Sequence, residues 1–193
     1  MAEEFLTLMA DLDDESQSRM SAWHDILKNA GHVGTQTPGL PYHISLATYP
    51  LELEQDAAER MKRACAAFAP FPVHISHIGL FAGGRVLFGA PERNRALDAL
   101  RDACVPACGP VPDPAHPWTP HVTILIDEPA AVHAALPLLV GSFQPFVGLI
   151  TRLHLCAFWP TREIASAPLA GDSIAGDSIA GDPITGNPQT SAR

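Results

Sequence analysis

The chain has 193 residues, 47% hydrophobic and 17% charged, enough to bury the core of one domain or of two small lobes. Its formal net charge is -9 with only 12 Lys plus Arg. That balance excludes the broad basic footprint a long nucleic-acid duplex needs and points to a small or short-ended substrate in a local pocket.

Residues 5–10 (FLTLMA) read as a first strand. Asp13 or Asp14 then caps a helix running to residue 29, with Gly31 as its stop. A loop rich in Gly, Thr and Pro, residues 34–40, delivers a strand over 43–48 that ends at Pro50. A second helix is expected over 53–67, where Ala57, Met61, Ala64 and Phe68 recur at helical spacing. Residues 71–81 alternate as a strand, Gly83-Gly84 turns the chain, and 85–88 (RVLF) return as the hairpin partner. Pro91 opens a helix to residue 103. A Pro-rich loop, 104–118, leads to a strand over 121–126. Residues 129–139 start as a helix that Pro137 must end or bend. Segments 146–150, 152–158 and 162–165 read as closing strands.

This order is α+β, and its second half echoes the first: helix, Pro-containing loop, strand, helix. Residues 1–168 are expected as one domain. From Leu169 the chain reads LAGDSIAGDSIAGDPITGNP, a five-residue period too short for a β-helical stack. Residues 169–193 are therefore expected to be disordered and without chemistry. No apolar run approaches membrane-spanning length, and Glu3 and Glu4 stand where a secretory signal would be basic. Cys65, Cys104, Cys108 and Cys156 form no CxxC pair. Reduced thiols in a cytoplasmic protein, with no membrane partner and as a monomer, are expected.

One short phrase occurs twice: Pro41-Tyr42-His43-Ile44-Ser45-Leu46 and Pro120-His121-Val122-Thr123-Ile124-Leu125. Side chains alternate along a strand, so His and the hydroxyl two places on share a face while the aliphatic residues anchor the other. Two such strands side by side set two imidazoles and two hydroxyls toward one cleft, a site for acid–base chemistry on a phosphate. A single His-x-Ser/Thr carries little information among nine His, and a third copy, His74-Ile75-Ser76, stands in the hairpin strand. Context separates them: His43 and His121 both follow a Pro-containing loop and precede a helix, whereas His74 sits mid-strand. His24 and His133 fall on helix faces, His32 and His116 in loops, and His154 on a strand. No His-x-x-x-His or His-Glu-x-x-His spacing occurs, so neither a metal nor any other cofactor is expected.

The HISL and HVTI phrases resemble those of the two-histidine (2H) phosphoesterase superfamily, in its branch of bacterial RNA 2′,3′-cyclic phosphodiesterases or 2′-5′ RNA ligase-like proteins. FPVHISHIGLFAGGRVLF, residues 71–88, is similar to that family's middle hairpin and assigns His74 to the hairpin strand. The first hydroxyl is Ser45 rather than the commoner Thr, which keeps a hydrogen-bond donor. The resemblance spans residues 5–169. It implies a bilobal, pseudo-two-fold fold, with two antiparallel-rich sheets flanked by helices around a central cleft. It also implies metal-independent chemistry on a cyclic phosphate or a 2′-5′ phosphodiester, with a 2′-phosphate as product.

Opening a 2′,3′-cyclic phosphate requires a base on water, an acid on the leaving ribose oxygen and stabilisation of the added charge. His43 and His121 are the expected acid–base pair, each role worth ~10²–10⁴-fold. His121 is taken as base and His43 as acid, with the reverse open. Ser45 and Thr123 are expected to bind the non-bridging phosphate oxygens. Tyr42, Trp118, Trp159, Arg85 and Arg162 stay outside this set. Alternatives are an ADP-ribose cyclic phosphate or 2′-5′-linked oligonucleotide as substrate, RNA joining by the reverse step, or a module that binds a nucleotide or RNA end without turning it over.

Overall fold

The computed structural model describes residues 4–37, 39–106 and 117–172. Seven strands and four helices follow in the order β1 (Phe5–Leu12), α1 (Asp14–Asn29), β2 (His43–Tyr49), α2 (Glu54–Ala67), β3 (Phe71–Leu80), β4 (Val86–Pro91), α3 (Arg95–Cys104), β5 (Val122–Ile126), α4 (Pro129–Ser142), β6 (Phe146–Phe158) and β7 (Arg162–Pro168). The strands are antiparallel neighbours in the order β1-β2-β5-β4-β3-β6-β7, and β1 also pairs with β6. That extra pairing closes six strands into a ring with β7 outside it. The fold is α+β, as the sequence predicts.

The ring has two halves. β6 is 13 residues long; Phe146–Ile150 pair with β3, and from Ile150 onward β6 pairs with β1 and then also with β7. One half is therefore β7-β6-β1-β2 and the other β6-β3-β4-β5. They meet again between β2 and β5, where Ile44 stands opposite Val122. The two expected sheets are halves of one continuous surface, joined by β6 and by this junction. Helices α2 and α3 pack together over the first half, and α1 and α4 over the other.

Alternation decides which face each strand buries. Along β1, Leu6, Leu8, Ala10 and Leu12 enter the main core, whereas Met9 joins Cys156 and Phe158 in a small cluster flanked by Phe5 and Leu40. The helices cover the main core, and the small cluster faces the cleft. Fully burying an aliphatic side chain stabilises by roughly 1.5–3 kcal/mol, so a one-residue slip of β1 would invert both faces at prohibitive cost.

Several local expectations change. Pro91 ends β4 instead of opening a helix. α3 starts at Arg95, because Asn94 Oδ1 accepts from the N–H of Ala96 and Leu97 at 3.0 and 3.1 Å, a side-chain cap worth about 1 kcal/mol. α4 runs through Pro137 to Ser142; Pro137 and His133 are exposed, so the carbonyl that Pro leaves unpaired faces solvent. The separate strands expected over 146–150 and 152–158 are the single β6. Just past the boundary expected after residue 168, Leu169 is buried. The N–H groups of Leu169, Ala170 and Gly171 donate to the carbonyls of Thr151, Cys65 and Phe68. The rest of the repetitive tail from 173 on lies outside the described residues, as do Cys108 and His116. Cys65, Cys104 and Cys156 are buried and free. Among the described residues no helix is long and apolar enough to cross a membrane.

Candidate active site

The four expected site residues meet where the two halves of the ring touch. Ile44 and Leu46 on β2, and Val122 and Ile124 on β5, are buried, which turns His43, Ser45 and Thr123 to the opposite face, with His121 one step before β5. With Ile44 opposite Val122 in an antiparallel pair, His43 falls level with Thr123 and Ser45 level with His121. Each imidazole thus neighbours the other phrase's hydroxyl.

Both rings are held in the same way. His43 Nδ1 lies 2.8 Å from the Pro41 carbonyl oxygen, and His121 Nδ1 lies 2.8 Å from that of Thr119. A carbonyl only accepts, so each Nδ1 carries a proton and donates it. This leaves Nε2 as the nitrogen that exchanges protons. The loop entering β2 is itself clamped: Gln17 of α1 accepts from the Tyr42 N–H and donates to the Tyr42 carbonyl, both at 2.8 Å.

The flanks of the two rings differ. His121 packs edge-on to Phe81, with centroids 4.7 Å apart at 89°, and tilted against Phe88 at 5.3 Å. The β3–β4 hairpin supplies both aromatics. His43 faces Asp11 across β1–β2, with His154 nearby on β6. Burial lowers the pKa of both site histidines below the usual 6.5, against the opposing effect of their carbonyl hydrogen bonds. His43 is lowered further by the charges of His121 and His154.

A cavity of about 620 Å³ opens beside this junction, lined by His43, Ser45 and Thr123 but not by the His121 ring. Its apolar lining is Phe5, Met9, Leu40, Phe158 and Trp159. Phe5 packs against Phe158 at 5.6 Å and against Trp159 at 5.3 Å, while Trp159 remains 49% exposed. The lining also includes His24 and Lys28 of α1 with Gln36 and Thr37 of the following loop, Thr37 lying beside Trp159.

The remaining candidates lie elsewhere. His74 sits in β3 opposite Val147, 3.1 Å from Glu92. Trp118 donates from Nε1 to the Ser45 carbonyl at 2.9 Å, bracing β2, under the Arg101 guanidinium. Arg85 pairs with Glu128 and Arg162 with Glu54, each at 2.8 Å. Among the described residues no three His, Cys, Asp or Glu converge as a metal site.

Sequence reasoning misses two groups. His24 and Lys28 look like ordinary helix-face residues, although their i, i+4 spacing puts both on one face. Asp11 and His154 form a buried pair behind His43, with Asp11 Oδ2 3.7 Å from His154 Nδ1 and Glu163 Oε2 3.4 Å from His154 Nε2. Among the described residues Asp11 Oδ1 and His154 Nδ1 find no hydrogen-bond partner.

The model of a family described as the 2′-5′ RNA ligase superfamily matches residues 12–158. Among solved structures, E. coli LigT in apo form has a TM-score of 0.60 at 20% identity, covering 86% of this chain and 98% of that one. E. coli LigT complexed with 3′-AMP gives 0.56 at 21% identity, over 88% and 97%. TT0787 of Thermus thermophilus gives 0.58 at 15% identity, over 87% and 99%. These likenesses are of fold. No curated protein matches the chain.

Proposed function

The chain belongs to the 2′-5′ RNA ligase superfamily of two-histidine phosphoesterases, and on that footing we propose that it is a metal-independent phosphodiesterase. It opens 2′,3′-cyclic phosphates of nucleotides or RNA ends to 2′-phosphates. The observation that carries this reading is the reciprocal junction, in which two imidazoles with their Nδ1 protons committed to carbonyls flank two hydroxyls. A phosphate between them would have an Nε2 on each side of an in-line displacement.

In the forward step water loses a proton to one Nε2 as its oxygen bonds to phosphorus. The P–O bond to the ribose 3′-oxygen breaks, and the other imidazole hands that oxygen a proton. Ser45 and Thr123 donate to the non-bridging oxygens, where negative charge accumulates. The repulsion between His43 and His121 is mutual, whereas that from His154 bears on His43 and favours His121 as the holder of the single shared proton. We therefore assign His121 as acid and His43 as base, the reverse of the polarity taken from the sequence. The cavity lining offers Trp159 and Phe5 to a base. A structure of E. coli LigT is complexed with 3′-AMP, which supports nucleotides as the ligand class.

The test is hydrolysis of 2′,3′-cyclic nucleotides with EDTA present. Activity should survive the chelator, fall by at least ~10²-fold in His43→Ala and His121→Ala, and persist in His74→Ala. An inactive parent protein that still binds nucleotides would replace this reading with that of a binding module.

A further inference from the structure

Part of the cavity lining is polar: His24, Lys28, Gln36 and Thr37. The chain carries 21 Asp plus Glu, yet the described residues lining this cavity include no carboxylate, and the only full positive charge among them is Lys28. Lys28 lies in the last turn of α1, and among the described residues no ion pair involves it. The segment that follows α1 is held by hydrogen bonds. Thr35 donates from both its N–H and its Oγ1 to the Ile126 carbonyl, at 2.7 and 3.1 Å. The Ile126 N–H donates to Gln36 Oε1 at 3.2 Å, and Gln36 Nε2 lies 2.8 Å from His24 Nε2.

These contacts fix donor directions. Because Gln36 Oε1 already accepts from β5, its Nε2 is the donor, and His24 Nε2, which also lies 3.4 Å from the Val33 carbonyl, accepts from it in the tautomer protonated at Nδ1. The other Nε2–H of Gln36 is left over. Thr37 Oγ1 accepts from Trp159 Nε1 at 3.4 Å, which leaves its own O–H free to donate. Lys28, the Gln36 amide and the Thr37 hydroxyl therefore line the same cavity as His43.

We propose that Lys28, Gln36 and Thr37 form a second anion subsite, which binds the phosphate on the 5′ side of the reacting nucleotide. That phosphate is either the phosphodiester of an RNA strand or a free 5′-phosphate, and both present the same anionic oxygens. The subsite rests on the catalytic reading above for its orientation, since the cyclic phosphate must lie at the histidine junction. Lys serves here as a point charge on a flexible stem.

The experiment compares the parent protein with Lys28→Met and Lys28→Arg. Three compounds are used: 2′,3′-cyclic AMP, its 5′-phosphorylated form, and a dinucleotide ending in a 2′,3′-cyclic phosphate. Turnover and calorimetric binding of the matching 2′-phosphate products are both measured. Lys28→Met should raise KM about tenfold for the compounds carrying the 5′-side phosphate, as loss of one charge-assisted contact gives. Its kcat and its handling of 2′,3′-cyclic AMP should not change, and Lys28→Arg should restore KM. Dependence confined to the dinucleotide identifies a strand phosphodiester; dependence confined to the phosphorylated mononucleotide identifies a free phosphate. Equal effects of Lys28→Met on all three compounds, or none on any, overturn the subsite. Lys28-dependent binding without turnover by the parent protein would instead remove the catalytic reading and leave the subsite standing.

Discussion

Asp11 stands directly opposite His43 in the β1–β2 ladder, and its carboxyl is shared with no described hydrogen-bond donor at Oδ1. A cross-strand pair brings side chains within interaction range, and Asp11 also lies 3.7 Å from His154, whose charge bears on His43. Burial pushes the Asp11 pKa from 3.8 to about 7, with Arg152 pulling it down and Glu163 pushing it further up.

This shift ties stability to pH. Between pH 3.8 and about 7 the folded chain holds a proton on Asp11 that the unfolded chain releases, so this group's contribution falls as pH rises through that window. Asp11→Asn removes the titration. Its stability relative to the parent should improve by about 2 kcal/mol or more between pH 5 and pH 8, read by urea unfolding at both values. An identical difference at the two pH values would mean that Asp11 is already ionised in the fold at pH 5.

The pH–rate profile should be a bell on the acid side. The proposed mechanism needs one site histidine protonated and one neutral, and burial lowers both below 6.5. The maximum of kcat/KM, which reports the free protein, is therefore expected below pH 6.5. A bound phosphate adds negative charge and raises both values, so the kcat profile should lie at higher pH. Steady-state rates across pH 4.5–9 (about ten points) would show it, and a kcat/KM maximum well above 6.5 contradicts it.

Polarity can be read from the leaving group. A thiolate leaves without a proton, so a cyclic substrate with sulfur in place of the departing ribose oxygen bypasses the acid. It should rescue His121→Ala by roughly 10²-fold and leave His43→Ala inactive. Rescue of His43→Ala alone would restore the polarity taken from the sequence.

The hydroxyls should act on kcat rather than KM. Thr123→Val and Ser45→Ala each remove one donor to the developing charge and should lower kcat by about 10²–10³-fold. Thr123→Ser and Ser45→Thr keep the donor and most of the rate. Equal losses in the conservative pair would assign these positions to strand packing alone.

Gly34 tests the cavity wall. Its φ of +77° favours glycine, and a Cβ there would collide with Gln36 Oε1 and the Leu125 side chain. Gly34→Ala should detach Gln36 from β5, raise KM severalfold (~3–10-fold) and leave kcat near the parent value. A lowered kcat with an unchanged KM would mean that the wall serves the junction and not the ligand.

The junction is legible in the sequence because strand periodicity is local. Once 43–48 and 121–126 read as strands, the faces of His43, Ser45, His121 and Thr123 follow. The partners are not legible. That β2 meets β5, setting His43 beside Thr123, depends on pairings between segments far apart in sequence. Asp11 is missed because the apolar pattern of the first strand breaks at Ala10, one residue too early. The alternation around His154 reads correctly, but only the ring shows that this face points toward His43. Gln36 resembles loop filler because its partners, His24 and Ile126, lie 12 and 90 residues away. At Pro91 two start signals compete, and the side-chain cap at Asn94 prevails.

β6 also sets a constraint on how the molecule can be made. A ribosome delivers β1 first, yet one of that strand's two neighbours is the next-to-last strand to emerge. Neither half of the ring can be completed from one end of the chain, because each borrows β6. Such distant pairings slow folding and leave strand edges bare in the interval. His43 and His121 are both synthesised before β6, so a nascent or prematurely terminated chain holds both histidines but lacks the strand that ties the two halves of the ring together.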